Sequence, residues 1–318
     1  MDPNFLHFAS AAIAIILSGL GNGIGQGIAG LSAIQATSRQ AVGRENIFRT
    51  MVLGLALIES GAILALVISL IILFGKPTEL NIGNTLAELG MALAIGLSAI
   101  SVSIASSFAV KAACESTSRQ PFFSQKILTL MLLSQSIIEA PIVFAFIISM
   151  LIRNMSYNLI SIAEGIKFLS AGLAIGIGTI GPSIGQAIFT YSAGKAAGLN
   201  RESFGKLFTF SVLSQAVIET PIIFCLIVSI TLLYKPLTTT NVIYPSIVML
   251  VSALTISVGS MGTAIATGYS ASKNNKSIAL DPTHYPLFIR TSLLAQAIIE
   301  SSAIYALIVT LIIMIKNI

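Results

Sequence analysis

The chain has 318 residues, 55% of them hydrophobic and 9% charged, with a formal net charge of +5. So little polar surface cannot cover a soluble globule of this length, which makes it a membrane protein. The basic residues are spread along the chain instead of forming a patch, which argues against nucleic acid as a partner.

Eight apolar stretches follow one another at about 5–38, 47–74, 84–117, 123–152, 160–197, 203–234, 243–272 and 284–316. Each exceeds the ~20 residues a spanning helix needs, and no strand alternation competes with that reading. The expected fold class is an all-α membrane protein whose eight transmembrane helices form four tandem helical hairpins, at residues 1–80, 81–157, 158–240 and 241–318. The opening MDPNFLHF lacks a basic leader region, so the first helix is kept as structure. Around the odd-numbered turns lie 12 of the 17 basic residues, whereas Lys76, Arg153, Lys167, Lys235 and Lys316 sit at the opposite ends. The positive-inside rule then predicts cytoplasmic odd turns and both termini outside. Cys114 and Cys225 are solitary thiols on different helices, without the spacing of a disulfide or metal site.

The first helix carries small residues at alternate positions, Gly19, Gly21, Gly23, Gly25 and Gly27. The fifth does the same with Gly172, Ala174, Gly176 and Gly178, and the third and seventh keep the pattern with Ser, Ala and Thr, as at Ser101, Ser103 and Ala105 and at Ser257 and Gly259. Such alternation makes two small-residue stripes on the helix, and in lipid these let backbones approach closely. A helix narrow on both flanks suits the inner wall of a ring, although ordinary bundle packing would use it too. Gly176-x-Gly178-x-x-Gly181 matches the dinucleotide fingerprint only by accident, because it lies inside a spanning helix with no strand before it.

The even-numbered helices align without a gap: LGLALIESGAILALVIS from Leu53, LSQSIIEAPIVFAFIIS from Leu133, LSQAVIETPIIFCLIVS from Leu213 and LAQAIIESSAIYALIVT from Leu294. Each has a glutamate near its middle, Glu59, Glu139, Glu219 and Glu300, at intervals of 80, 80 and 81 residues. An ionisable group at the bilayer centre costs roughly 2.5–3.5 kcal/mol, so a chain that repeats one four times uses it. Glu59 lies ~18 Å and ~22 Å from the ends of its helix at 1.5 Å per residue. No basic residue occurs at that depth, so the carboxylates must be protonated, bind a cation, or pair with a charge from another subunit. A permanently protonated structural glutamate is the bland alternative, against which stands the repetition, since Gln would supply a similar hydrogen bond.

Candidate auxiliary ligands surround these acids. Gln26 and Gln186 occur on first helices, level with the glutamate of their own hairpin, and Gln135, Gln215 and Gln296 stand one turn before their glutamates. Interhelical hydrogen bonding would serve all five equally. Hydroxyls follow three glutamates directly, Ser60, Thr220 and Ser301, whereas Ala140 breaks the pattern. Pro141 and Pro221 lack the N–H that would reach the carbonyls of Ile137 and Val217, freeing two acceptors for a cation, hydronium or water, or simply kinking the helix.

The hairpin resembles the c-ring proteolipid, the rotor component of F-type ATP synthases. The resemblance rests on the Gly-alternating first helix (GLGNGIGQG, GIGTIGPSIGQ), the turns TSRQ at 37–40 and STSRQP at 116–121, and the mid-helix glutamate, and it covers essentially the whole chain four times over. The turns of the third and fourth hairpins lose the Arg-Gln-Pro signature. V-type rotor proteolipids are commonly fused hairpins that have lost a carboxylate; this chain is fused and keeps every one, which favours the F-type. The resemblance implies a homo-oligomeric rotor ring in an energy-coupling membrane, with no catalytic residue or cofactor of its own. It implies glutamates that exchange H+, or alternatively Na+, beside an arginine of the stator. It also implies turns at Arg39, Gln40, Arg119, Gln120, Arg201 and Lys276 that face the central stalk. In sodium-binding rings the site looks like a first-helix Gln, a Glu, the hydroxyl after it and a Tyr five positions on. Only Glu300 has that tyrosine, Tyr305, and its first helix has no aligned Gln. Mixed sites favour protons. A secondary transporter built from parallel repeats is the main rival, but four equivalent sites on continuous helices fit it poorly.

Overall fold

The computed structural model describes residues 2–75, 80–158, 160–237 and 243–316, save the side chains of residues 243, 244 and 316. Lys76 and the side chain of Lys316, used above for topology, lie outside the described residues. The helices are α1 (Pro3–Arg39), α2 (Arg44–Phe74), α3 (Ile82–Arg119), α4 (Ser124–Met155), α5 (Ile162–Gly178), α6 (Ile180–Ala197), α7 (Phe204–Tyr234), α8 (Ile243–Leu280) and α9 (Tyr285–Lys316). Single 3-10 turns at Pro121–Phe123 and Pro282–His284 lead into α4 and α9.

Two boundaries differ from the sequence expectation. The fifth span is interrupted at Thr179, because Pro182 has no N–H for the carbonyl of Gly178. Thr179 keeps helical angles, φ −73° and ψ −23°, and its N–H still reaches the carbonyl of Ile175 at 3.0 Å, so α5 and α6 make one membrane span with a missing rung. The seventh helix runs to Leu280, past the polar stretch at which its apolar run ends. Asn275 Nδ2 donates to the carbonyl of Phe189 on α6 at 3.4 Å, and Asn274 Nδ2 to that of Phe288 on α9 at 3.0 Å. These bonds fasten an extension too polar to be recognised as helix by hydropathy.

The helices form two layers. The first helices, α1, α3, α5 with α6, and α8, stand side by side, and α2, α4, α7 and α9 line up behind them. Glycine sets the spacing of the first layer: a Cβ on Gly25 would lie 2.5 Å from the carbonyl oxygen of Ser103, one on Gly165 2.5 Å from that of Gly83, and one on Gly176 2.6 Å from that of Leu93. No hydrophobic force drives helices together in lipid, so this backbone contact, with its dispersion energy, carries the packing. The other α1 stripe, Gly19, Gly23 and Gly27, has nothing within 4 Å and forms an open flank.

Each of the first three hairpins is fastened by the same bond. Ser69 donates to the carbonyl of Ala11 at 3.0 Å, Ser149 to that of Met91 at 3.1 Å and Ser229 to that of Ala171 at 3.0 Å. Neighbouring odd turns are also linked. Asn46 Nδ2 donates to the carbonyl of Pro121, Gln120 Nε2 to that of Gly198 and Lys206 Nζ to that of Pro282. In the last turn, hydrogen bonds from Thr283 and His284 hold the Asp281 carboxyl down to about 2.

Candidate functional site

The four glutamates stand at the same level of the second layer but in different surroundings. Glu59 is exposed on the outermost helix, α2, whereas Glu139, Glu219 and Glu300 are half-buried between neighbouring second helices. Glu139 Oε1 is enclosed without a hydrogen-bond partner. Beside the Glu139 carboxyl lies the hydroxyl of Ser60, and beside Glu300 that of Thr220. The hydroxyl that follows one glutamate therefore stands beside the glutamate of the next hairpin, and that of Thr220 also donates to the carbonyl of Ala216 at 3.3 Å. At Glu219 the corresponding residue of the preceding helix is Ala140, which offers no donor. Ser301, on α9, donates to the carbonyl of Ile298 at 2.7 Å.

The glutamines one turn earlier form a separate row of links between second helices. Gln135 Nε2 donates to the carbonyl of Gly54 at 3.1 Å and to Ser106 at 2.8 Å, Gln215 Nε2 to Ser134 at 3.3 Å, and Gln296 Nε2 to Ser214 at 3.2 Å. All three are fully buried. They tie α4 to α2, α7 to α4 and α9 to α7, which is the interhelical role.

Gln186 donates to the carbonyl of Gln215 at 2.9 Å, one turn from Glu219, while its own Oε1 is buried and unpaired. Gln26 is half-buried and has no hydrogen-bond partner among the described residues. The expected level is observed for both: Cβ atoms on the preceding Gly25 and Gly185 would lie 3.3 and 3.0 Å from Cγ2 of Ile58 and Ile218, the residues just before Glu59 and Glu219. Tyr305 points away at 63% exposure and forms no part of an enclosed site within the chain. α4 and α7 continue through Pro141 and Pro221, past the carbonyls of Ile137 and Val217. At the turns, Arg39, Arg119 and Arg201 are exposed, and Arg201 Nε donates to Gln120 Oε1 at 2.6 Å; the backbone N–H of Gln40 closes α1 onto Ala36 at 3.2 Å.

Sequence reasoning missed one polar pair. His7 Nδ1 lies 2.8 Å from Glu88 Oε2, with both side chains buried between α1 and α3 near the ends that carry the chain's N-terminus. Their separation of 81 residues matches the repeat, so laying one first helix over the next would have brought them together. The hydroxyls of Ser69, Ser149 and Ser229 were visible in the same way, near the ends of the aligned second helices.

A family model for the C-subunit of ATP synthase matches the chain four times, at residues 9–72, 89–152, 169–232 and 250–313. ATP synthase c-subunit 2 of Pelobacter propionicus is 51% identical over 78 residues, 24% of this chain and 85% of that protein. The ATP synthase c-subunit of Citrifermentans bemidjiense is 53% identical over 68 residues, 21% of this chain and 75% of the relative. That of Dehalococcoides mccartyi is 46% identical over 72 residues, 23% of this chain and 95% of the relative.

Proposed function

The chain belongs to the ATP synthase C-subunit family as a fused four-repeat member, and from this premise we propose that it is an ion-carrying rotor component in which each hairpin loads and releases one ion. The observation that carries the reading is the serial arrangement of acid and hydroxyl: Glu139 beside Ser60 and Glu300 beside Thr220 make these two sites products of two adjacent hairpins. Among the described residues Glu59 has no such hydroxyl beside it and Ser301 no such glutamate. A head-to-tail neighbour supplies what each lacks, and repetition of that contact closes a homo-oligomeric ring. The open glycine flank of α1 and Gly262 on α8, also with nothing within 4 Å, give such a contact room.

The transported ion is H+. A proton needs only the carboxyl group, which every hairpin retains. Sodium coordination requires several converging oxygens, and the sites differ in the oxygens they offer: the helix before Glu219 presents Ala140 where the others present a hydroxyl, and the second and fourth hairpins lack the first-helix glutamine of Gln26 and Gln186. A loaded, neutral glutamate crosses the lipid-facing arc at little cost. A charged one needs the compensating arginine of the stator's a-subunit. The odd turns lie in the cytoplasm and meet the central stalk through Arg39, Gln40, Arg119, Gln120 and Arg201, with both termini on the other side; the hairpin boundaries at residues 80, 157 and 240 separate the four ion-carrying units. The mass of the detergent-purified assembly tests the proposal. Several copies of this chain per particle are expected, and a monomer would end the ring reading. Sodium protection of the glutamates against carbodiimide at neutral pH would assign the ion as Na+.

A further inference from the structure

On the exposed face of the first-helix layer, near the odd-turn ends, α3, α6 and α8 enclose a groove of about 550 Å3. It runs from Ile188 and Tyr269 to Leu199 and Lys276, ~16 Å along the helices at 1.5 Å per residue. Its floor is apolar and begins close to the level of Gln186, whereas its mouth is ringed by Arg119, Lys195, Lys273 and Lys276. Lys111 joins them, its Nζ 5.3 Å from the centre of the Tyr191 ring. Of these five cations, Lys195 alone has an ion pair among the described residues, to Glu115 at 3.9 Å. Lys195 lies 4.9 Å over the ring of Tyr191 and Lys273 4.8 Å over that of Tyr269, so two of the ammonium groups are held in place on aromatic faces.

We propose that this groove binds an anionic glycerophospholipid, with its phosphate among Arg119, Lys195 and Lys276 and an acyl chain along Ile188 towards mid-membrane. The inference does not depend on which ion the glutamates carry. Charge selects the headgroup: uncompensated cations at a membrane surface attract anionic lipid. Depth selects a lipid over a soluble anion, because inorganic phosphate would use the mouth and leave the apolar length of the groove empty. The arrangement draws on the second, third and fourth hairpins and has no counterpart on the first. The positions on α1 that correspond to Glu115 and Lys195 hold the uncharged Gln35.

The test uses the full chain, purified as its native assembly, delipidated and equilibrated with mixed micelles containing phosphatidylglycerol or phosphatidylcholine, with retained lipid counted by mass spectrometry. Phosphatidylglycerol is expected to be retained at least about tenfold over phosphatidylcholine. The double variant Lys195→Gln, Lys276→Gln should lose that preference with particle mass unchanged, and a charge-retaining Lys195→Arg, Lys276→Arg variant should keep it. Equal retention of the two lipids, or a preference that survives the double Gln variant, overturns the proposal. Full displacement by millimolar inorganic phosphate overturns it too, assigning the cations to a soluble anion. So does loss of a stalk-protein contact in the Gln variant without any change in lipid retention.

Discussion

Replacing Ser60 by Ala should alter Glu139 and leave Glu59, the adjacent residue in sequence, as it was. The Ser60 hydroxyl lies beside the Glu139 carboxyl, across the interface between α2 and α4. A hydrogen bond to a charged group contributes about 1.5–3 kcal/mol. The lower figure suits a half-buried carboxyl, and about 1.4 kcal/mol corresponds to a tenfold change in an equilibrium. Loss of the donor favours the protonated form of Glu139, which is the form that carbodiimide attacks. Site-resolved mass spectrometry of carbodiimide-labelled protein should then show Glu139 modified about tenfold faster near neutral pH, with Glu59, Glu219 and Glu300 unchanged. Ala140→Ser should have the opposite effect at Glu219, slowing its labelling. Acceleration at Glu59 in the Ser60 variant, with Glu139 unmoved, would refute the cross-hairpin assignment of the hydroxyl.

Gln296→Leu removes the bond to Ser214, at 3.2 Å, that fastens α9 to α7, and an intrahelical bond to Ser292 at 3.1 Å. Interhelical bonds in membranes average about 0.6 kcal/mol and reach about 1.7, so a loss in that range is expected in denaturant unfolding in detergent. Gly25→Ala drives a methyl group against the carbonyl of Ser103 and should cost about 1–3 kcal/mol of chain stability by the same assay. Gly23→Ala, on the open flank, should leave single-chain stability unchanged and weaken assembly, measured as the detergent concentration that dissociates the particle. The Asp281 carboxyl, held down by Thr283 and His284, should titrate at about 2 by carbon NMR. Its folded value lies below the unfolded one, so the turn's stabilisation is present above the ordinary aspartate range and lost as pH falls through about 2.

The eight spans, their pairing into hairpins and the four acids were legible because each rests on a signal that survives without coordinates: apolar length, a fixed repeat and a costly charge in the same place each time. The partner of each hydroxyl was not. Adjacency in sequence assigns Ser60 to Glu59, but successive residues on a helix point about 100° apart, so the hydroxyl faces the next helix and its glutamate. The role of Gln186 depended on whether its amide or the carbonyl of Gln215 turned inward, a choice that spacing leaves open. The helical end of α8 was hidden by its own polarity, since Lys273, Asn274, Asn275 and Lys276 reduce hydropathy where tertiary hydrogen bonds supply the stability. The break at Thr179 could have been foreseen from Pro182, which deletes one rung wherever it sits inside a helix.

The central claim is that every one of the four acids carries an ion on each revolution. ATP-driven proton uptake by the reconstituted enzyme, measured for Glu59→Gln, Glu139→Gln, Glu219→Gln and Glu300→Gln singly, tests it most directly. The account predicts that each substitution abolishes uptake or reduces it to a small residue, because a site that cannot ionise cannot pass the stator. Full pumping by any one of the four variants, with the particle intact, would contradict it.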